Sequence, residues 1–195
     1  MPKWNKGTSS IITAHEIARE LLSCKRNFTV WSKLYRTDVI GNVRFQEGML
    51  NEDSLFIFDL SKSIETMGVS LLEIPFKGYF YRQRANSICS NAQRPLDLDT
   101  INNYQSMLSY YQRSDNCEMV EVITKYIIMR CVRFADTVIV NSDFNEDVKN
   151  EIKDLIDAIK INQVYSYFGL KMSIKVFMIK YMKSLYGFFK REKKR

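Results

Sequence analysis

The chain has 195 residues, three of them Pro and seven Gly, with 46% hydrophobic and 26% charged side chains and a formal net charge of +7. Ile, Phe and Tyr are too abundant for global disorder, and Pro and Gly too scarce for a collagen-, mucin- or linker-like chain. The length suits one domain, or one domain with an appended segment, and a chain of this size buries roughly 70% of the surface it exposes when unfolded.

The first residues, MPKWNKGTSSIITAHE, lack the apolar run of a secretory signal, and Pro2 stands where N-myristoylation needs Gly. The expectation is a chain that is not secreted, in the cytoplasm or nucleus, with Cys24, Cys89, Cys117 and Cys131 reduced. The glycosylation sequon Asn27-Phe28-Thr29 is then idle. Ala is scarce while Ile, Lys, Asn and Tyr are plentiful, the bias of an AT-rich genome such as those of many small viruses and some parasites.

Residues 13–24 read as a helix. Thr13 and Glu16 are spaced as a capping box, in which hydroxyl and carboxylate each satisfy an orphan backbone N–H. From about 28 to 84 the runs FTVW, NVRF, SLFIFDL and FKGYFY are rich in β-branched and aromatic residues. Turn-like pieces at Gly41-Asn42, Asn51–Ser54 and Gly68 separate them, which predicts four or five strands. The stretch 63–74, SIETMGVSLLEI, suits strand or helix.

Beyond about 97 the pattern turns helical. Asp97 or Asp99 caps a helix through 113, with Ile101, Tyr104, Met107, Leu108 and Tyr111 on its apolar face. A second helix spans about 117–134, carrying Met119, Val122, Ile123, Tyr126, Ile127 and Phe134, and TVIV at 137–140 reads as a short β-branched run. Ser142 or Asp143 caps a third helix to about 161, with Val148, Ile152, Leu155, Ile156 and Ile159 in one stripe. Gly169 breaks the chain before a last helix, 170–189. The expected fold class is therefore α+β: a capped N-terminal helix, a β-rich N-terminal half over about 28–84, and a helical C-terminal half over about 97–189. The expected organisation is one domain over 1–169 and a basic amphipathic helix and tail over 170–195.

The charge is unevenly placed. Residues 170–195 hold Lys171, Lys175, Lys180, Lys183, Lys190, Arg191, Lys193, Lys194 and Arg195 against the single acid Glu192, a net +8, which leaves −1 for the rest of the chain. At 100° per residue, Ile174, Phe177, Met178, Tyr181, Leu185 and Phe188 cluster on one side of the last helix. Four lysines argue against a transmembrane span, each costing about 2.5–3.5 kcal/mol near the bilayer centre. Three fates suit such a segment: an in-plane membrane helix, a contact with nucleic-acid phosphates or a nuclear-import tag, or a terminal helix docked on its own domain.

No motif fixes a reaction. His15, the sole histidine, is followed by Glu16, but Arg19 stands where HExxH needs its second histidine, and no zinc-ligand spacing, GxSxG, Walker or GxGxxG motif is present. No cofactor, metal or small-molecule substrate is expected. Asp59, Glu73 and Lys77 resemble the acid-acid-lysine set of metal-dependent nucleases, with a spacing of four rather than two between the last pair. Leu55–Leu60 (LFIFDL) and Lys77–Tyr81 (KGYFY) resemble the two ribonucleoprotein motifs of the RNA-recognition domain. That resemblance implies base stacking by Phe56, Phe58, Tyr79 and Tyr81 and phosphate contacts by Lys77, Arg82 and Arg84. Against it, Phe80 replaces a small residue, and the gap from 55 to 77 is short for the intervening helix and strand. Ala135–Ser142 is similar to the end of the acceptor domain in two-domain glycosyltransferases, which implies helix, short strand, then helix.

The leading expectation is a non-enzymatic binding protein, a small viral structural or accessory protein of matrix-like kind. Its basic C-terminus would engage an anionic membrane surface or nucleoprotein in the host cytoplasm or nucleus, with self-association as a further partner mode. The alternatives are an RNA-binding sheet, a glycosyltransferase-like or nuclease-like enzyme, and a subunit that docks its terminal helix on another protein.

Overall fold

The computed structural model describes residues 9–22, 29–31, 33–74, 79–80, 96–140 and 144–192. Packing divides the chain into two compact units, Met1–Ile123 and Thr124–Arg195.

The N-terminal unit begins with strand β1 (Ser10–Ile12) and helix α1 (Ala14–Leu22). The capping box forms: the Thr13 N–H and hydroxyl donate to Glu16 Oε2 at 2.9 and 2.7 Å, and the Glu16 N–H returns to Thr13 Oγ1 at 3.3 Å. A one-turn helix α2 (Thr37–Ile40) ends at Gly41, whose φ of 48° lies in the left-handed region. Helix α3 (Glu52–Met67) follows, then strand β2 (Leu71–Glu73) and helix α4 (Leu96–Arg113). Helix α5 (Cys117–Val140) comes next, and the division between the units falls within it. β1 and β2 pair antiparallel, with Ile11 opposite Leu72.

Helix α3 is the centre of this unit. Phe56, Ile57, Leu60 and Ile64 pack with Ile12, Ile17 and Val39 in one core, flanked by Tyr35, Val43 and Val69. On another side Phe58 meets Tyr110 and Tyr111 of α4 edge-on, with centroids 5.4 and 5.8 Å apart. The helix ends in a Schellman motif: the Gly68 N–H donates to the Glu65 carbonyl at 3.1 Å and the Val69 N–H to the Ile64 carbonyl at 3.2 Å. Gly68, with φ 63°, supplies the left-handed residue the motif requires. Its N-terminus is tied to α4 by a buried polar cluster. Asn103 Nδ2 donates to the Asn51 carbonyl at 3.1 Å and to Ser54 Oγ at 3.2 Å, and Asn51 Nδ2 reaches Thr100 Oγ1 at 3.2 Å. Along α4, Leu98, Ile101, Tyr104, Met107 and Tyr111 are buried at helical spacing.

These facts overturn the α+β expectation. Among the described residues the protein has eight helices and one sheet of two three-residue strands. SLFIFDL, read as a strand, lies inside α3, where six apolar residues between Leu55 and Ile64 are buried. A helix apolar around most of its circumference shows no 3.6-residue alternation, so a local run cannot distinguish it from a buried strand. The helix signals were at the ends, in Glu52, Asp53 and Gly68. NVRF at 42–45 and Thr29–Trp31 form no strand, and neither do Tyr79 and Phe80; the remainder of FKGYFY lies outside the described residues. TVIV at 137–140 is the last turn of α5, where tertiary context overrides β-propensity.

In the C-terminal unit, Tyr126, Ile128, Cys131, Val132, Phe134, Ala135 and Val138 of α5 are buried. Helix α6 (Glu146–Ala158) starts at Asn145, whose Oδ1 accepts from the Val148 N–H at 2.9 Å; the expected caps Ser142 and Asp143 lie outside the described residues. Ile152, Ile156 and Ile159 form its buried stripe. Helix α7 (Ile161–Tyr181) kinks at Gly169, where φ 74° and ψ −173° are open essentially to glycine alone. Met182 breaks the helix with φ −131° and ψ 37°, and a separate helix α8 (Lys183–Glu192) follows. The single helix expected over 170–189 is thus the end of α7, a break, and α8.

Candidate anionic-surface interface

Helix α7 has apolar residues on two faces. One is internal: Val164, Ser173, Val176 and Ile179 are buried. The other faces solvent. Leu170, Ile174, Phe177 and Tyr181, spaced four, three and four, are 65%, 50%, 45% and 65% exposed. That spacing draws one continuous stripe along the helix. Phe177 and Tyr181 touch within it, centroids 5.0 Å apart. Beyond the break, Met182, Leu185, Phe188 and Phe189 are also exposed. Contiguous exposed apolar surface of this kind marks an interaction site more often than scattered exposed residues do.

Of the expected stripe, Ile174, Phe177 and Tyr181 are exposed together on α7, Met178 is half-buried, and Leu185 and Phe188 are exposed on the separate helix α8. The internal face was not evident from the sequence, because Val164, Val176 and Ile179 are interleaved with the outer residues. Helix α7 thus buries one face within its own unit and presents a second apolar face to solvent.

The predicted basic residues differ in what they meet. Lys171 and Lys183 are exposed beside the stripe. Lys180 turns toward α6 and donates to the carbonyls of Asp157 at 3.0 Å and Ile159 at 2.9 Å, where a cation satisfies the free carbonyls and the negative end of that helix. Lys175 and Lys190 both reach Asp136 of α5, at 2.5 and 3.4 Å. Arg191 Nε donates to the Gly187 carbonyl at 3.3 Å. Lys193, Lys194 and Arg195 lie outside the described residues.

The charge follows the division into units. Residues 124–195 carry 15 Lys and Arg against 8 Asp and Glu, whereas 1–123 carry 14 of each, so the whole formal +7 belongs to the C-terminal unit. Within that unit the acids concentrate on α6, from Glu146 to Asp157, and the cations from Lys160 onward. The basic arm and the apolar stripe thus occupy the same stretch of chain.

The RNA-stacking residues are not brought to one sheet face. Phe56 and Phe58 are each 6% exposed and lie in α3, Phe56 stacked on Phe45 at 4.2 Å. Tyr79 is exposed and stacks on Trp31 at 4.4 Å. Tyr81, Arg82 and Arg84 lie outside the described residues. Of the nuclease-like set, Asp59 pairs with Lys62 at 2.5 Å, Glu73 accepts from Ser10 at 3.3 Å, and Lys77 lies outside the described residues. His15 sits 3.7 Å from Glu118. Among the described residues, no group of three His, Cys, Asp or Glu side chains is placed to hold a metal. The glycosyltransferase-like stretch lacks its short strand, since Ala135–Val140 is helical. Buried Cys131 has its thiol pushed up to about 12 by desolvation, which keeps it protonated and unreactive at neutral pH. Cys117 is exposed.

No protein-family model, curated protein or solved structure matches this chain. Among the described residues, no helix is long and apolar enough to cross a membrane.

Proposed function

We propose that this is a non-enzymatic peripheral protein whose C-terminal unit binds an anionic membrane surface, with α7 lying in the plane of the interface. The observation that carries the reading is the exposed Leu170–Ile174–Phe177–Tyr181 stripe set among the cations of a segment with net +8. A phosphate-contacting surface needs the cations but not the apolar side chains. An in-plane helix needs both: apolar groups to enter the acyl boundary and lysines to meet headgroups, each cation adding about 1 kcal/mol near the surface. Tyr181 is the type of amphipathic ring favoured at that boundary. The internal face of α7 explains how such a helix stays anchored to its own unit while presenting a second apolar face. A matrix-like role, with the protein peripheral to a host membrane, suits this layout.

The test is co-flotation of the full chain with phosphatidylserine/phosphatidylcholine vesicles, with phosphatidylcholine vesicles, and titration with single-stranded RNA over a salt series. Binding to the anionic vesicles is expected, with a component that survives high salt. Combining Phe177→Ala with Tyr181→Ala should weaken it about tenfold, from the apolar area no longer buried. RNA binding with a steep salt slope, and no vesicle binding, would replace this reading with phosphate contacts. Point variants serve better than removal of 170–195, because that segment contains the buried Val176, Ile179 and Tyr186.

A further inference from the structure

One carboxylate in the C-terminal unit gathers three donors from the basic segment. Asp136, on α5, accepts from Lys175 Nζ of α7 at 2.5 Å, from the Tyr186 hydroxyl of α8, and from Lys190 Nζ of α8 at 3.4 Å. Its side chain is 21% exposed, so these contacts are only partly screened by water. Lys190 also lies over the Tyr186 ring, 5.6 Å from its centroid. Burial, reinforced by the bond to Asp136, pushes the Tyr186 hydroxyl upward, so it remains a donor across the accessible pH range.

Helix α8 is held there by little else that is apolar. Its buried residues are Tyr186 and Gly187, and a Cβ on Gly187 would stand 3.0 Å from Ile139 Cγ2, so the glycine lets α8 lie close against α5. Leu185, Phe188 and Phe189 remain exposed, and the Met182 break gives α8 a hinge of its own. A ten-residue helix is too short to be stable alone in water, so its state depends on what it docks against.

We propose that Asp136 is a latch that holds α8 down and withholds Lys175 and Lys190 until an anionic surface competes for them. The proposal rests on the membrane reading above for its ligand, and on the Asp136 geometry for the latch. On a surface of many phosphates the two lysines exchange one carboxylate for several anions. Tyr186 then loses the ammonium groups that share its acceptor, and α8 swings about Met182 to lay Leu185, Tyr186, Phe188 and Phe189 on the interface. Binding thus has two stages, a salt-sensitive encounter followed by insertion of a second amphipathic helix.

Hydrogen exchange of the full chain without lipid tests the latch itself. Asp136→Asn and Tyr186→Phe should both speed exchange across 183–192, while the amides of α6 keep wild-type protection and report that the unit is folded. Titration with phosphatidylserine/phosphatidylcholine vesicles tests the consequence. Asp136→Asn should bind about fivefold tighter than Glu192→Gln, which removes the same charge away from the latch. Unchanged exchange at 183–192 in both variants overturns the proposal, as does an Asp136→Asn affinity equal to that of Glu192→Gln. Faster exchange in a protein that ignores vesicles supports the latch and removes the membrane reading instead.

Discussion

Helices α3 and α7 contain similar apolar side chains and use them in opposite ways. In α3, Leu55, Phe56, Ile57, Phe58, Leu60 and Ile64 are all buried, and the unit around them holds equal numbers of acids and bases. In α7, burial stops at Val164, Val176 and Ile179, and Leu170, Ile174, Phe177 and Tyr181 stay in water beside a net positive charge. The same kind of residue therefore stabilises the fold in one helix and is available for a partner in the other. Exposure, more than hydrophobicity, separates the two roles.

Substitutions that exchange these roles should give the largest contrast. Leu60→Ala removes a side chain that is 2% exposed, and it is expected to lower the unfolding free energy by about 2–5 kcal/mol in urea titrations. Phe177→Ala, at an outward position, should stay within about 0.5 kcal/mol of wild type in the same titration. It should weaken binding to anionic vesicles instead. Equal destabilisation by the two would mean that α7's outer face is part of the core.

A smaller effect is expected at the junction of α3 and α4. Asn103→Ala takes two hydrogen bonds from the Asn51 carbonyl and Ser54 Oγ in a site that excludes water, a loss of about 1–3 kcal/mol. Gly68→Ala should cost about 1 kcal/mol, because a Cβ strains the left-handed residue that closes α3. The glycine has open space around it, so this cost comes from backbone conformation rather than from a clash.

The mildest prediction concerns pH. The bonds from Thr13 hold the Glu16 carboxyl below its ordinary value of 4.5. The stabilisation of α1 is then complete above that value and is lost as pH falls through the lower folded-state value. Amide protection at the start of α1 should fade in acid in the wild type, and Glu16→Gln should flatten that dependence. A wild-type profile as flat as the variant's would show that the capping carboxylate contributes nothing.

How far the sequence spoke for the structure depended on whether the signal was local. The Thr13–Glu16 box forms as expected, and so do the α4 stripe from Ile101 to Tyr111 and the α6 stripe from Ile152 to Ile159, which repeat at helical spacing; the caps differ, since α4 already begins at Leu96, ahead of Asp97 and Asp99, and α6 is capped by Asn145. The β-rich reading failed where local composition opposed tertiary context. Phe56 and Phe58 alternate like strand residues, yet α3 is buried on several sides from Ser54 to Phe58, and its polar positions Asp59, Lys62 and Thr66 come only after that run. The basic segment was plain from charge alone. That its apolar residues form two faces was not, since only the fold assigns Val176 inward and Phe177 outward. Asp136 gave no signal: its partners lie 39, 50 and 54 residues away in the chain.

The central claim is that the outer stripe of α7 enters the acyl boundary of an anionic membrane. Phe177→Trp in a full chain whose native Trp4 and Trp31 are replaced by Phe, bound to phosphatidylserine/phosphatidylcholine vesicles containing brominated acyl chains, reads this directly. The account predicts strong quenching of emission from position 177 and little quenching from a Trp placed at Lys153 on α6. A protein that binds the vesicles while position 177 remains unquenched would contradict it.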